Sequence, residues 1–263
     1  MEQSDIDAGI QSYYSTGFDE GLRLTSRSAQ GALEFTRVQE LVGERISPES
    51  RVLDVGGATG IHAAPLAAAG HRVTLIDPVE AQVLAARQHT TFAAEVGDAR
   101  KLAFDDDSFD VALLFGPLYH LNTREDRITA LREASRVVVP GGWVFAAAIP
   151  RIIRLADISL GQDVTHPYPD SWIQLLKHGS PTPGGRFPAG HFHNAEELEH
   201  ELRDAGLTDV ELQAIEGSAG LALEQIPEVD DELLQAALTV ARRTGHLPGV
   251  RDLSNHLMAI GRV

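Results

Sequence analysis

Val52 to Gly60 reads VLDVGGATG, and this stretch decides the fold. A buried strand runs through Asp54 into Gly56, Gly57 and Gly60. A helix is expected beyond them, from Ile61 to Ala69, with Pro65 tolerable only in its first turn. Glycines at such a turn let the backbone bend sharply and approach a ligand without interference from a Cβ. Further apolar runs follow: RVTLI (Arg72–Ile76), Thr91–Val96, FDVALLF (Phe109–Phe115) and WVFAAAI (Trp143–Ile149). Helix-like segments separate them. One is Val79–Gln88; another starts at the N-cap Thr123, reaches Val137 and is expected to stop at Pro140-Gly141-Gly142. Apolar runs alternating with helices imply βαβ units and a largely parallel sheet.

Thr208–Ile215 and Leu257–Val263 read as two more strands. The predicted class is α/β: a Rossmann-like, doubly wound, mostly parallel seven-stranded sheet with a helical N-terminal segment and an inserted cover. Residues 1–50, where Ala32–Arg45 is the clearest amphipathic stretch, are expected to form a helical cover, and residues 51–150 the cofactor-binding core. Residues 195–216 and 251–263 would complete the sheet. Residues 151–194 and 217–250 are expected as substrate-covering insertions. Ile152–Phe192 is rich in Pro, Gly and His with few periodic segments, which suits a functional cover.

Composition narrows the function. The chain of 263 residues has 22 basic and 38 acidic side chains, a net charge of −16, and no cysteine. Disulfides, Cys-ligated zinc, iron–sulfur clusters and thiol nucleophiles are excluded. The negative charge argues against docking on a phosphate backbone or an anionic membrane, so neither a nucleic acid nor a membrane is an expected partner. The start, MEQSDIDAGI, has no apolar core and does not read as a signal peptide, and the longest apolar run is far short of a membrane span. A cytoplasmic protein is expected. Nothing in the sequence bears on oligomeric state.

The ends of the predicted strands carry the candidate ligand contacts. Asp77 closes the second strand, where a carboxylate points into the crevice used by α/β sheets and can grip ribose hydroxyls. Asp98, after the third strand, is placed to reach an adenine amino group. Nicotinamide and flavin enzymes share the ribose contact, but their G-x-G-x-x-G spacing is not met: Ala58 stands where the second glycine should be. There is also no Tyr-x-x-x-Lys pair, since Tyr13, Tyr14, Tyr119 and Tyr168 are followed four positions on by Gly17, Phe18, Thr123 and Trp172. A nicotinamide oxidoreductase remains the less favoured alternative.

Together, VLDVGGATG, VTLIDP, EVGDARKLAFDDDSFD, ALLFGPLYHL and REASRVVVPGGWVFAAAI resemble the class I S-adenosylmethionine-dependent methyltransferases, in order and spacing, over Arg51 to Ile149. The flanks YYSTGFDEGLRL and HFHNAEELEHEL are similar to a bacterial subgroup thought to act on small molecules. The resemblance implies S-adenosylmethionine as cofactor, its amino-acid end lined by Asp54, Gly56, Gly57 and Gly60 and its ribose held by Asp77. It implies Pro78 beside the adenine, Asp98 and Ala99 reading its edge, and the backbone of Phe115 and Gly116 near the sulfonium. Tyr14 lies in a segment that often closes over the cofactor in similar proteins, and Arg23 is a candidate partner for the cofactor carboxylate.

Methyl transfer is an in-line displacement that needs alignment, and an oxygen acceptor also gains from a base. His120, beside Tyr119 at the end of the fourth strand, is the first candidate base; the other reading is a histidine that bonds a backbone carbonyl. His191 and His193 flank Phe192 in an extended stretch, so both can face one way. A substrate-facing role is expected of at least one of them. No carboxylate or third histidine lies at ligand spacing to them, so no metal is expected. The expected partner is a small-molecule methyl acceptor, a secondary metabolite among the candidates, methylated on O or N. A cofactor-binding protein of the same fold with a non-methylating reaction is the alternative.

Overall fold

The computed structural model describes residues 2–15, 20–25, 27–160, 169–183, 187–227 and 230–263. Residues 16–19 of the N-terminal motif lie outside them, as do residues 161–168 (Tyr168 included) and 184–186 of the expected cover. Seven strands form one sheet: β1 (Arg51–Val55), β2 (Arg72–Asp77), β3 (Ala93–Val96), β4 (Phe109–Leu114), β5 (Val138–Ala148), β6 (Thr208–Ala214) and β7 (Leu257–Arg262), in the order β3-β2-β1-β4-β5-β7-β6. β1 to β5 are parallel, and β7 runs antiparallel between β5 and β6. The order reverses between β1 and β4. That reversal opens a crevice at the carboxyl ends of the strands.

Twelve helices are described: α1 (Gln3–Ser15), α2 (Glu20–Thr25), α3 (Ala29–Gly43), α4 (Ala63–Ala68), α5 (Glu80–Ala86), α6 (Arg124–Val137), α7 (Arg151–Leu160), α8 (Asp170–His178), α9 (Ala195–Asp204), α10 (Gly220–Leu223), α11 (Asp231–Thr244) and α12 (Pro248–Arg251). The central strands are apolar without alternation because both of their faces are covered. Val52, Val111, Leu113, Phe145 and Met258 face α3, α4 and α5; Leu53, Ala112, Leu114 and Leu257 face α6 and α9. α6 begins at the expected cap, with the Thr123 hydroxyl accepting from Asp126 N and two acidic residues in its first turn.

Three expectations need correction. Pro140-Gly141-Gly142 does not terminate α6; the helix ends at Val137 and passes directly into β5. The three residues sit inside β5, where the pairing with β4 jumps from Phe109–Val138 to Val111–Trp143. Proline is housed there because a bulged segment needs no ladder donor. Second, the described residues of the expected cover include two helices: α7 and α8 pack on each other through Ile158 and Leu175, joined by Phe192. Its Pro and Gly residues concealed the amphipathic run RIIRLADISL. Third, α10 and α11 do not cover the crevice. They pack on α3 through Leu33, Leu223, Leu238 and Ala241, and so brace the end of α3 that reaches the site.

Candidate functional site

The crevice is a cavity of about 350 Å³ bounded by the glycine turn, the ends of β2 to β4 and helix α1. Gly56 and Gly57 hang on β2 through hydrogen bonds from their N–H groups to Ile76 O, at 2.8 and 3.2 Å. A Cβ on Gly57 would lie 2.6 Å from Asp54 Oδ2 and 2.7 Å from Leu75 Cδ1, so only glycine fits. Ala58 adopts φ 48°, a left-handed conformation that costs a non-glycine residue about 1–2 kcal/mol. Its N–H is thereby aimed at Asp77 Oδ2, 3.0 Å away, while Val79 N donates to Asp77 Oδ1 at 2.8 Å.

Asp54 is buried, and its Oδ2 has no hydrogen-bond partner. Burial, with the neighbouring charge of Asp77, pushes its carboxyl up to about 7. Asp77 is raised to about 6 by burial, an effect its two backbone hydrogen bonds reduce. Two carboxylates short of counter-charge at the turn suit a ligand that brings a cation and hydroxyl donors. S-adenosylmethionine fits: its α-ammonium matches the orphaned Asp54 oxygen, and the lone pairs left on Asp77 match ribose hydroxyls. Asp98 is engaged by Arg100 at 2.6 Å; burial alone would raise its carboxyl, but the Arg100 bonds hold it below the usual range. Pro78, Ala99 and Phe115 line the same cavity, while Gly60, with φ 91°, shapes the turn beneath it, where a Cβ would lie 2.4 Å from Phe92 Cζ.

Polar contacts hold helix α1 over the crevice. Gln3 bridges to His120 O and Asn122 N, Gln11 donates to Pro78 O, and Gln82 Nε2 donates to Tyr14 O. His120 Nδ1 lies 2.7 Å from Pro188 O, and Nε2 lies 3.2 Å from the Tyr14 hydroxyl. Burial pushes its imidazole down to about 4, so it is neutral, with Nδ1–H donating and Nε2 accepting. His120 and Tyr14 line the cavity, but both ring nitrogens are engaged in latching α1 and residue 188 to the core. The Tyr119 hydroxyl donates to Phe115 O at 2.9 Å and fixes the end of β4.

His191 and His193 are not in the cavity, which corrects the expectation that they face a substrate. The stretch is extended, as expected, but its imidazoles turn toward α9, where Glu197 and Glu201 stand one helical turn apart. His191 Nε2 lies 3.1 Å from Glu197, and His193 Nε2 lies 3.2 Å from Glu201. Glu201 is also forked by Arg127 at 2.7 Å, with neither side chain more than 3% exposed. These histidines pack against the carboxylates of α9 beside the buried Arg127–Glu201 pair, and burial lowers the His191 imidazole to about 4.

Residues at the far end of the cavity, and those bonded to them, carried no sequence signal, apart from Arg23, which was expected to meet the cofactor carboxylate and is instead held by Glu34. Arg23 forks Glu34 at 2.7 and 2.8 Å. Gln30 Nε2 donates to both Glu34 and Glu216, at 2.9 and 2.7 Å. His256 Nδ1 lies 2.7 Å from Glu216 Oε1 and 3.4 Å from Glu34 Oε2. Burial opposes charge on His256, but the two carboxylates outweigh it and raise the imidazole to about 9. Glu34, Glu216 and His256 stand within metal-ligand distance of one another, yet Gln30 and Arg23 aim N–H donors at the same oxygens. The cluster is therefore an ion-pair network. His62, stacked on Phe35 and edge-on to Phe115, lies between the two ends, with Nδ1 3.0 Å from the Gln39 amide; burial lowers it to about 4. These positions come from separate segments, and the nearest thing to a signal was polar residues at the ends of β6 and β7.

Residues 53–146 match a family model described as a methyltransferase domain. The chain is 33% identical over 127 residues to a ubiquinone biosynthesis O-methyltransferase of Methylocella silvestris, covering 45% of this chain and 48% of that protein. It is 34% identical over 113 residues to a demethylmenaquinone methyltransferase of a Mycobacterium species, covering 43% and 47%. The chain thus spans about half the length of these relatives. Among solved structures it superposes on a SAM-dependent methyltransferase from Methanosarcina mazei with a TM-score of 0.57 at 18% identity, over 84% of this chain and 96% of that one. Residues 53–146 are a methyltransferase domain of the class I S-adenosylmethionine-dependent family.

Proposed function

We propose that the protein transfers the methyl group of S-adenosylmethionine to an oxygen or nitrogen of a small molecule. The observation that carries this reading is the unpartnered Asp54 oxygen beside Asp77, at the glycine turn of a methyltransferase domain. When bound, the cofactor supplies an electrophilic methyl on a sulfonium. Asp54 would take its ammonium, Asp77 its ribose hydroxyls, and Pro78 and Ala99 would flank its base. Helix α1, latched by Tyr14 and His120, excludes water from this end. The protein's task is alignment, which can lower a barrier by about 7–11 kcal/mol. Beyond Phe115 the cavity continues to Val38, Ala147 and Ile215, a partly apolar chamber that suits a small acceptor. Among the described residues no helix is long and apolar enough to cross a membrane.

Calorimetric titration with S-adenosylmethionine and S-adenosylhomocysteine tests the reading. Both should bind, and Asp77→Ala should weaken binding by about 3 kcal/mol, roughly 100-fold, through loss of two charge-assisted hydrogen bonds. Absence of binding by a folded protein would overturn it. Binding without transfer to any acceptor in a broad screen would favour the non-methylating alternative.

A further inference from the structure

Glu34 and His256 line the cavity beyond Phe115, bonded to Glu216, and the cofactor contacts argued above do not use them. Because β7 is antiparallel, its first residue, Leu257, pairs with Ala148 and Ala214 at the carboxyl edge of the parallel strands. His256 therefore reaches the same edge as Phe115, displaced across the sheet from the glycine turn. Its Nδ1 is fixed between two carboxylates, and its backbone N–H also donates to Glu216 Oε2 at 2.8 Å. Ser254 Oγ donates to that oxygen as well. The ring lines the cavity, and Nε2 is the nitrogen left to meet a ligand.

We propose that His256, oriented by Glu216 and Glu34, receives the acidic hydroxyl of a phenol or enol acceptor, which is methylated on oxygen as its anion. This rests on the methyltransferase reading above. The groups facing His256 are Arg23 from α2, Gln30 and Glu34 from α3, Glu216 after β6, and Ser254 on its own segment. With Arg23 and His256 positive and both glutamates negative, the cluster is neutral, so an oxyanion brought to it is balanced by the sulfonium. The imidazolium N–H occupies one lone pair of an oxyanion and leaves others for attack. A neutral amine has a single lone pair, which the same N–H would block. The hydroxyl proton passes to solvent, and the imidazolium keeps its own. An oxygen lone pair then forms the bond to the methyl carbon, and the carbon–sulfur pair remains on sulfur as a thioether.

The test uses 4-nitrophenol, whose anion absorbs apart from its neutral form. It is titrated into protein saturated with S-adenosylhomocysteine, in buffer about one unit below the probe's own pKa. The phenolate band should grow saturably, and His256→Asn should weaken it at least roughly 10-fold, about 1.4 kcal/mol. Asparagine keeps a donor for Glu216 and removes Nε2. A second measurement needs only the wild-type protein: 4-nitroanisole, with no proton to lose, should bind at least roughly 10-fold more weakly than the phenol. Lack of a phenolate band in the wild type, an equal band in His256→Asn, or equal binding of the ether would overturn the assignment. If S-adenosylhomocysteine itself fails to bind in the same samples, the methyltransferase reading falls instead.

Discussion

At one end of the crevice, Asp54, Gly57, Asp77, Asp98 and Phe115 come from a single unbroken run of chain. At the other, Arg23, Glu34 and His256 arrive from three separate segments, and Glu216, from a fourth, bonds His256. The electrostatics differ as much as the construction. The glycine-turn end holds two buried carboxylates pushed upward for want of counter-charge, one with an orphaned oxygen. The far end holds two carboxylates already paired with Arg23, Gln30 and His256. The first end awaits a cation. The second is complete in itself and offers one ring nitrogen outward.

Removing a carboxylate should therefore have opposite effects at the two ends. Glu216→Ala leaves Gln30 with Glu34 alone and takes from Ser254 and the partly buried His256 their nearest carboxylate, and breaking a buried pair costs about 3–5 kcal/mol. For a chain of this size that is a fall in Tm of roughly 10 °C, read by calorimetry. Asp54→Asn should instead stabilise the cofactor-free protein above pH 7. The folded carboxyl titrates near 7, above the ordinary aspartate value, so its stabilising contribution is full below the unfolded pKa and is lost as pH rises through about 7. The Tm difference between variant and wild type should grow over that interval, while cofactor binding weakens. A flat difference from pH 4 to 8 would show that Asp54 is paired, and the contrast between the ends would break.

The smallest effect sharpens the glycine-turn end itself. Ala58 holds φ 48° in order to aim its N–H at Asp77. Ala58→Gly should stabilise the protein by about 1 kcal/mol, a rise in Tm of roughly 2–4 °C, with cofactor affinity unchanged. Loss of stability instead would mean that the glycine's added freedom in the unfolded chain outweighs the relieved strain.

His191 and His193 show why the glycine-turn end was legible and the far end was not. Both stood in an extended, polar-flanked stretch, and extension alone implied a shared direction. It did not say which wall that direction met, and the wall is α9, with Glu197 and Glu201 waiting on it. His120 was located correctly at the crevice, yet the Tyr14 hydroxyl and Pro188 O that engage its ring come from positions remote in sequence.

The sequence by itself determined the parallel sheet, the turn at Gly56 to Gly60 and the acidic residues at the strand ends. Each follows from neighbours within a few positions: apolar runs buried on both faces, glycines where a Cβ has no room, and carboxylates at or just beyond the carboxyl ends of strands. Only the tertiary structure decided that His256 lines the cavity. That choice depends on the antiparallel insertion of β7 between β5 and β6, which sets His256 beside Glu216 and the start of α3. Partners brought together by sheet topology leave no spacing in the chain, because what joins them is a strand order and not a local conformation.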